Sequence, residues 1–426
     1  MNWLAIKREA HFLLRKKQVV LILVAALALS LFAVWTGSKE VAQQHATIER
    51  LLKADAQDRQ AVLEQQHDYG GVAYYSFHLT YSAPSPLAFA SLGVRDVYPW
   101  KHRIRMLALE GQIHESDTEN PELALAGRID FAFVISVLAP FLLILLLHDL
   151  RASERAAGRL ELLTISNASG AGLWLTRAMI LSVTLGFALL LPFWIGAILH
   201  QVGWITGIGV TLLCLLYLGF WALLSYSVAK LPSPAPMLAS ILLGVWLITS
   251  YIVPAVGHVV IEKSITGPKG GDILMTQREA VNDAWDLPFS ETFDPFVETH
   301  PEWENYTQMP SLFDWKWYYA FQQVGDQKAQ ALSEEYRRVA QEKYQLANLF
   351  AVRSPATALQ RILSYWAQTD AEAAREYEQS VRNFHQSLRE FYYPLLFKKP
   401  PFKREAIQQR PEFTPNRSTQ TNASAG

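Results

Sequence analysis

The chain is nearly without cysteine: Cys214 stands alone, inside an apolar run. No intrachain disulfide can staple any part of the fold, and no water-accessible base accompanies the thiol to make it a nucleophile. An excess of charge is missing too. Lys plus Arg number 38 against 39 Asp plus Glu, a net charge of -1, which excludes a polycationic nucleic-acid binder. A phosphate-binding loop is absent. GPKGG at Gly267 carries Lys269 but lacks the Gly-Lys-Ser/Thr ending, so any ATP that drives this chain is hydrolysed by another subunit. His67, His78, His102, His114 and His300 form neither an HxH nor an HExxH pattern, and no Met-rich run accompanies them. They read as surface or structural histidines, with no metal or cofactor expected.

What the chain has is long apolar runs. Half of its residues are hydrophobic and only 18% are charged, and the two kinds are segregated. Five runs, at about 18–36, 131–148, 178–199, 206–228 and 236–257, approach the length of about 20 residues that crosses the bilayer core. None holds Asp, Glu, Lys or Arg near its centre. That argues against a proton-coupled carrier and an intramembrane protease, because intramembrane charges mark such pathways. Pro140, Pro192 and Pro254 fall within spans and are candidate kinks or hinges. The first run follows KREAHFLLRKK, and bulky Trp35 stands where a signal-peptide cleavage site needs small residues, so an uncleaved anchor is expected.

Lys and Arg in the flanks orient the spans. Lys7, Arg8, Arg15, Lys16 and Lys17 precede the first, placing the amino terminus in the cytoplasm. Alternation then puts Arg151, Arg155, Arg159, Arg177 and Lys230 inside, and the uncharged link HQVGWITG outside. The expected organisation is an interfacial helix at 1–17, a first span at 18–36, an extracytoplasmic insert at 37–128 and a second span at 129–148. A cytoplasmic segment at 149–177, spans three to five at 178–257, a second insert at 258–397 and a disordered tail at 398–426 follow. The fold class is an all-α polytopic membrane protein of about five transmembrane helices, a sixth left open, with a mixed, mainly helical extracytoplasmic domain. Within the first insert a helix is expected over 41–63, a strand in VAYYSFHLTYS and a turn-rich loop in SAPSPLAF. Trp303, Trp315, Trp317, Tyr318 and Tyr319 read as the core of the second insert or as membrane-interface residues, with a glycan or lipid platform as the other reading.

The segment between spans two and three carries the functional reading. Leu160 and Leu163 share a helical face, while Glu154, Arg155 and Glu161 offer charge to water or to a partner. Near the amino terminus Trp3, Leu4, Phe12 and Leu13 alternate with Lys7, Arg8, Glu9 and Arg15, as in a helix lying among headgroups. This order of parts resembles the type-2 ABC transporter permeases, in which an Asp…Glu-Arg…Gly-x-Leu-Glu-x-Leu segment docks on the partner ATPase. The matching residues are Asp149, Glu154, Arg155, Gly158, Leu160, Glu161 and Leu163. PSPLAF (84–89), GVRDVYP (93–99), ENPELALAGRIDFAFV (119–134), HPEW (300–303) and SPATALQRIL…TDAEAAREYEQSVRNFHQSL (354–388) are similar to a subgroup with long periplasmic inserts of unassigned function. That subgroup ends in a sixth span, whereas here KKPPFKREAIQQ follows Phe397 with no apolar run.

The resemblance implies a transport subunit that does no covalent chemistry. Its implied partners are ABC ATPase subunits, a second permease copy or paralogue, the bilayer of a bacterial inner membrane, and a periplasmic or outer-membrane protein. Gly158 would permit close backbone approach at the ATPase contact. Polysaccharide, lipid, peptide and metal-chelate cargo all stay open, and a membrane-anchored scaffold without an ATPase is the alternative class.

The topology is tested by cysteine labelling. An impermeant reagent applied to intact cells should modify Asn120→Cys and Gln345→Cys and spare Ser153→Cys. Modification of position 153 alone would invert the orientation.

Overall fold

A single helix carries the chain across the membrane and well beyond it. In the computed structural model, which describes residues 3–95, 97–115, 129–165 and 171–415, helix α1 (Trp3–Leu14) is followed by α2 (Lys17–Gln65). The sequence suggested a span and then a separate helix. The two are one, because no proline interrupts the run, Thr36-Gly37-Ser38 stay helical, and Val41 and Ile48 continue its buried face. At about 1.5 Å per residue α2 extends roughly 73 Å, more than twice the hydrocarbon thickness.

Five helices among the described residues are long and apolar enough to cross a membrane, so the chain is an all-α polytopic protein. The first is the lower part of α2. The second, α5, comprises Phe131–Phe133, a π-helical turn at Val134–Leu138, and Ala139–Leu147. After the connecting segment come α8 (Ala171–Leu199), α9 (Trp204–Val228) and α10, the last comprising Ala235–Leu247, a π turn at Ile248–Ile252, and Val253–Ser264. The second span is the centre of the bundle, with 72% of its most apolar stretch buried, while the fifth is 11% buried and leaves its flanks open to apolar surroundings.

Two of the three intramembrane prolines explain the π turns. Proline has no N–H and its ring crowds the carbonyl four residues back. Pro140 and Pro254 each stand two residues after a π turn, where the widened ladder relieves that crowding. Carbonyls released around Pro140 find partners on other spans: Ser136 accepts the Tyr217 hydroxyl, and Val137 accepts the Trp246 indole N–H at 3.0 Å. Pro192 lies inside α8 without such a turn.

Both inserts fold into one head domain. The first supplies α3 (Tyr69–Tyr75), an antiparallel pair β1 (His78–Tyr81) and β2 (Lys101–Ile104), and α4 (Leu109–His114). The strand expected over VAYYSFHLTYS is thus only four residues long. Its first half is helical, because Asp68 accepts the Gly71 N–H at 2.7 Å and caps α3. The second insert supplies α11 (Gly270–Asp283), α12 (Ser290–Thr299), a 3-10 turn at Pro301–Tyr306, α13 (Trp315–Ala351), α14 (Pro355–Trp366), α15 (Ala371–Phe397) and α16 (Arg404–Ile407). Asp326 on α13 stitches the inserts, accepting the Leu109 and Glu110 N–H groups at 2.8 and 3.1 Å and pairing with Arg389 at 2.6 Å.

Trp303, Trp317 and Tyr319 are buried in the head's aromatic core, with Trp315 and Tyr318 half-buried at its edge. The membrane-interface reading does not hold for them. Phe350, near the far end of α13, packs on Gly257 in the fifth span, and about 35 residues at about 1.5 Å each put Trp315 roughly 50 Å from it along the helix. The tail expected to be disordered after Lys398 is instead packed on the head as far as Pro415. Tyr69 donates to the Pro401 carbonyl at 3.1 Å and accepts the Lys403 N–H at 2.9 Å, Lys399 pairs with Asp314, and Ile407 is buried. The remainder of the tail, 416–426, and the ENPELALAG motif, 119–127, lie outside the described residues.

Three head histidines are buried and held neutral. Burial, reinforced by Arg410 and Arg59, pulls His78 down to about 3; burial pulls His102 down to about 4; burial with Arg389 nearby holds His385 well below the ordinary range. Unfolding returns each to about 6.5, so the unfolded chain binds more protons and stability falls as pH drops below that value. In full-length protein in nanodiscs, the near-ultraviolet circular dichroism of the head should keep a constant melting midpoint above pH 7. The midpoint should decline steadily from about pH 6.5 toward 4. A flat midpoint across that window would contradict the burial of these rings.

Candidate functional site

The segment joining spans two and three is not one amphipathic helix. It is two short ones, α6 (Ala152–Ala156) and α7 (Leu160–Ile165), hinged at Gly158. Gly158 has φ +69°, where a side chain is strained, and its N–H and that of Arg159 close the turn on the Arg155 and Glu154 carbonyls at 3.0 and 2.9 Å. A Cβ here would meet nothing within 4 Å. Within the chain, then, the glycine serves the left-handed turn and not a close approach.

The charges also point elsewhere than their spacing suggests. Glu154 is only 4% exposed. Its carboxylate accepts from Arg159 at 2.9 Å and from Arg177, on the third span, at 3.5 Å. The same Arg177 guanidinium reaches Glu9 of α1 at 2.9 Å and lies over the rings of Phe12 and Trp174 at 5.1 and 5.2 Å. Arg177 is therefore a bolt through three elements: the amino-terminal helix, the connecting segment and span three. Arg155 ties the segment to the link before the fifth span, donating to the Leu231 and Ser233 carbonyls at 3.2 and 3.3 Å. Asp149 is half-buried, and its carbonyl accepts the Ser153 hydroxyl at 3.0 Å.

What remains for a partner is the outer face of α7. Leu160 and Leu163 pack toward the bundle, as their shared face predicts, whereas Glu161 is exposed and so are Leu162 at 69% and Ile165 at 83%. Sequence reasoning passed over Arg177 as the shared partner of Glu9 and Glu154. A signal was present, since Glu9 is the single acid in an otherwise basic KREAHFLLRKK. Its partner, 168 residues on, carries no local mark.

The opposite end of the bundle gathers motifs that lie far apart in the chain. Phe89 of PSPLAF is fully buried, stacked on His200 at 4.8 Å, and seated where Gly37 on the first span and Gly196 on the third have no side chains. A Cβ on Gly37 would collide with the Phe89 carbonyl, and one on Gly196 with the Phe89 ring. Asp130 of GRIDFAFV caps the second span through the Phe133 N–H at 2.8 Å and holds the same loop through the Leu92 N–H at 2.9 Å. Gly93 of GVRDVYP, at φ +54°, turns the chain so that Val94 donates to the Thr369 carbonyl at 2.8 Å. Arg95, two residues on, is buried and held by Gln44 and the Ser82 carbonyl at 2.9 and 2.7 Å. Helix α14, from the SPATALQRIL motif, sinks Leu359 and Leu363 into the bundle's core and packs across both π turns. Five separated stretches thus form one junction between head and spans. HPEW does not join them: Trp303 packs on Phe397 deep in the head.

No group of three or more His, Cys, Asp or Glu that could hold a metal ion occurs among the described residues, and Cys214 is buried between spans. Removing Arg177 tests the basic end. Arg177→Met leaves Glu9 and Glu154 buried without their shared partner, a loss of about 3–5 kcal/mol when a buried pair is broken. Thermal unfolding in detergent should fall accordingly, and Glu9→Gln in the same chain should recover part of the loss. Additive losses would show that Arg177 and Glu9 are not coupled.

Residues 273–416, beginning within α11, match a family described as "Domain of unknown function (DUF3526)". No curated protein matches the chain. No solved structure matches it either.

Proposed function

We propose that this chain is the transmembrane permease subunit of an ABC transporter, moving its substrate across a bacterial inner membrane with ATP hydrolysed by separate ATPase subunits. The observation that carries the reading is the Arg177 bolt. An amphipathic helix before the first span and a docking segment after the second matter to a transporter only if a push on them reaches the spans. Arg177 joins both to the third span through Glu9 and Glu154. The exposed Leu162 and Ile165 lie side by side one turn apart, with exposed Glu161 at their edge, and offer a small apolar strip rimmed by a charge, the composition of a small protein contact.

In this reading the Lys- and Arg-rich end is cytoplasmic and the head domain extracytoplasmic. The ATPase presses on α7, the hinge at Gly158 passes the load to α6, and Arg177 and Arg155 deliver it to the third and fifth spans. At the other end α14 lies across the two π turns, whose irregular ladders are the places where the second and fifth spans bend most cheaply. The sparsely buried fifth span supplies a lateral face for lipid or for a second permease copy. The chain's own residues bind, couple and move; none performs covalent chemistry.

The test separates the docking surface from the internal bolt. Leu162→Asp with Ile165→Asp changes two exposed side chains and leaves the Arg177 network intact. At matched membrane levels, an ABC ATPase should co-purify with wild type, and its recovery should drop about tenfold or more with the double variant, since each lost hot-spot contact costs roughly 1–2 kcal/mol. Equal recovery would take the docking role away from α7, and no ATPase with wild type would favour the membrane-anchored scaffold instead.

A further inference from the structure

The far end of the head carries a surface that neither the fold nor the transport reading uses. Tyr75 and Tyr74 from the first insert continue, ring against ring, into Trp315, Tyr318, Phe313 and Trp285 from the second. Centroids lie 4.9 Å apart for Tyr74–Tyr75, 5.8 Å for Tyr74–Trp315, 5.2 Å for Phe313–Trp315 and 6.5 Å for the nearly parallel Trp285–Phe313. Three of these rings are open to solvent, with Tyr75 and Trp285 each about half exposed, and Leu312 beside them is 89% exposed. An aromatic surface this continuous exceeds the scattered apolar residues of an ordinary exterior. The bilayer is not its partner: α2 runs about 29 residues, roughly 44 Å, beyond its apolar stretch, and Gly70 just past its end lies against Trp315.

Charge says what the partner is. Between Arg278 and Lys316 the chain has nine carboxylates and no Lys or Arg, although the whole protein is almost neutral. Asp283 and Asp286 flank Trp285, and Glu291, Asp294, Glu298, Glu302 and Glu304 follow on α12 and the 3-10 turn, all exposed. Among the described residues none of these seven is in an ion pair, whereas Asp314 is paired with Lys399. Cations bordering this face are already engaged: Lys316 donates to the Tyr306 and Gln308 carbonyls, Lys399 pairs with Asp314, Lys398 lies over the Trp303 ring at 5.7 Å, and Arg105 lies over Tyr74 at the patch's other edge. Exposed π faces beside unpaired carboxylates attract one chemistry doubly, since a guanidinium or ammonium gains both from the ring quadrupole and from the acids.

We infer that this aromatic, acid-rimmed tip is a docking surface for a Lys/Arg-rich segment of a soluble protein. The inference rests on the head alone and holds whether or not the chain couples to an ATPase. Full-length protein in zwitterionic nanodiscs would be titrated into a labelled peptide of three Lys-Arg-Gly-Phe repeats, a Glu-Asp-Gly-Phe counterpart and a neutral glucan oligosaccharide, read by fluorescence anisotropy. The basic peptide should bind and the acidic one should not. Affinity should fall about tenfold or more with Trp285→Ala/Leu312→Ser, and equally with Asp283→Asn/Asp286→Asn, which leaves every packed ring in place. It should also fall between about 0.05 M and 0.5 M salt. Binding of the acidic peptide as strongly as the basic one, indifference to both variants, or preference for the glucan would each overturn the assignment.

Discussion

The register between the two halves of this molecule depends on the seat of Phe89, where the first insert enters the end of the span bundle. A loop without regular structure can enter the end of a helix bundle only if its backbone is satisfied and the helices make room for it. Gly37 and Gly196 make the room, and Asp130, Thr369 and the Ala90 carbonyl, which accepts the Ala132 N–H at 2.8 Å, satisfy the backbone. Once the loop is seated, the first span cannot slide against the third without expelling an aromatic ring. The head, anchored through Gly93 and Val94 to Thr369, is then fixed in register with the bundle. The cross-links at Asp326 and the carboxyl-terminal tail stabilise a head whose position has already been set at this junction.

The basic end solves a different problem with the opposite chemistry. Here polar groups, not rings, lock three elements together. A guanidinium shared by two carboxylates and covered by Phe12 and Trp174 is favourable only with near-ideal geometry, since taking the charges out of water costs several kcal/mol per ion. Such a cluster resists partial disruption: either all three elements are in place or a charge is stranded. That all-or-none character fits the coupling role proposed for this end, and it contrasts with α7, whose exposed face lies one hinge away.

Between these ends the spans are closed by hydrogen bonds that a proline made available. Pro140 leaves carbonyls unsatisfied inside an apolar bundle, where a lone polar group costs several kcal/mol, and Tyr217 and Trp246 answer from two other spans. A local defect in one helix has become the polar tie among three. The second π turn, before Pro254, lies against α14 and is the point at which the sparsely buried fifth span meets the head.

The number of membrane helices was legible from residue order alone, because bilayer thickness imposes a length on any apolar run that crosses it and the runs are unmistakable. The amphipathic pairing of Leu160 with Leu163 was legible for the same reason: a helical period is a local property. Gly158 announced a special backbone position without revealing which kind, since a glycine serves a left-handed turn and a close approach equally well. The inward face of Glu154, the Glu9–Arg177 link, the wedge of Phe89 between two distant glycines and the ordered tail were decided only in three dimensions. Each depends on a partner many tens to hundreds of residues away, and nothing in a local pattern of charge or hydropathy records which distant surface a side chain will meet.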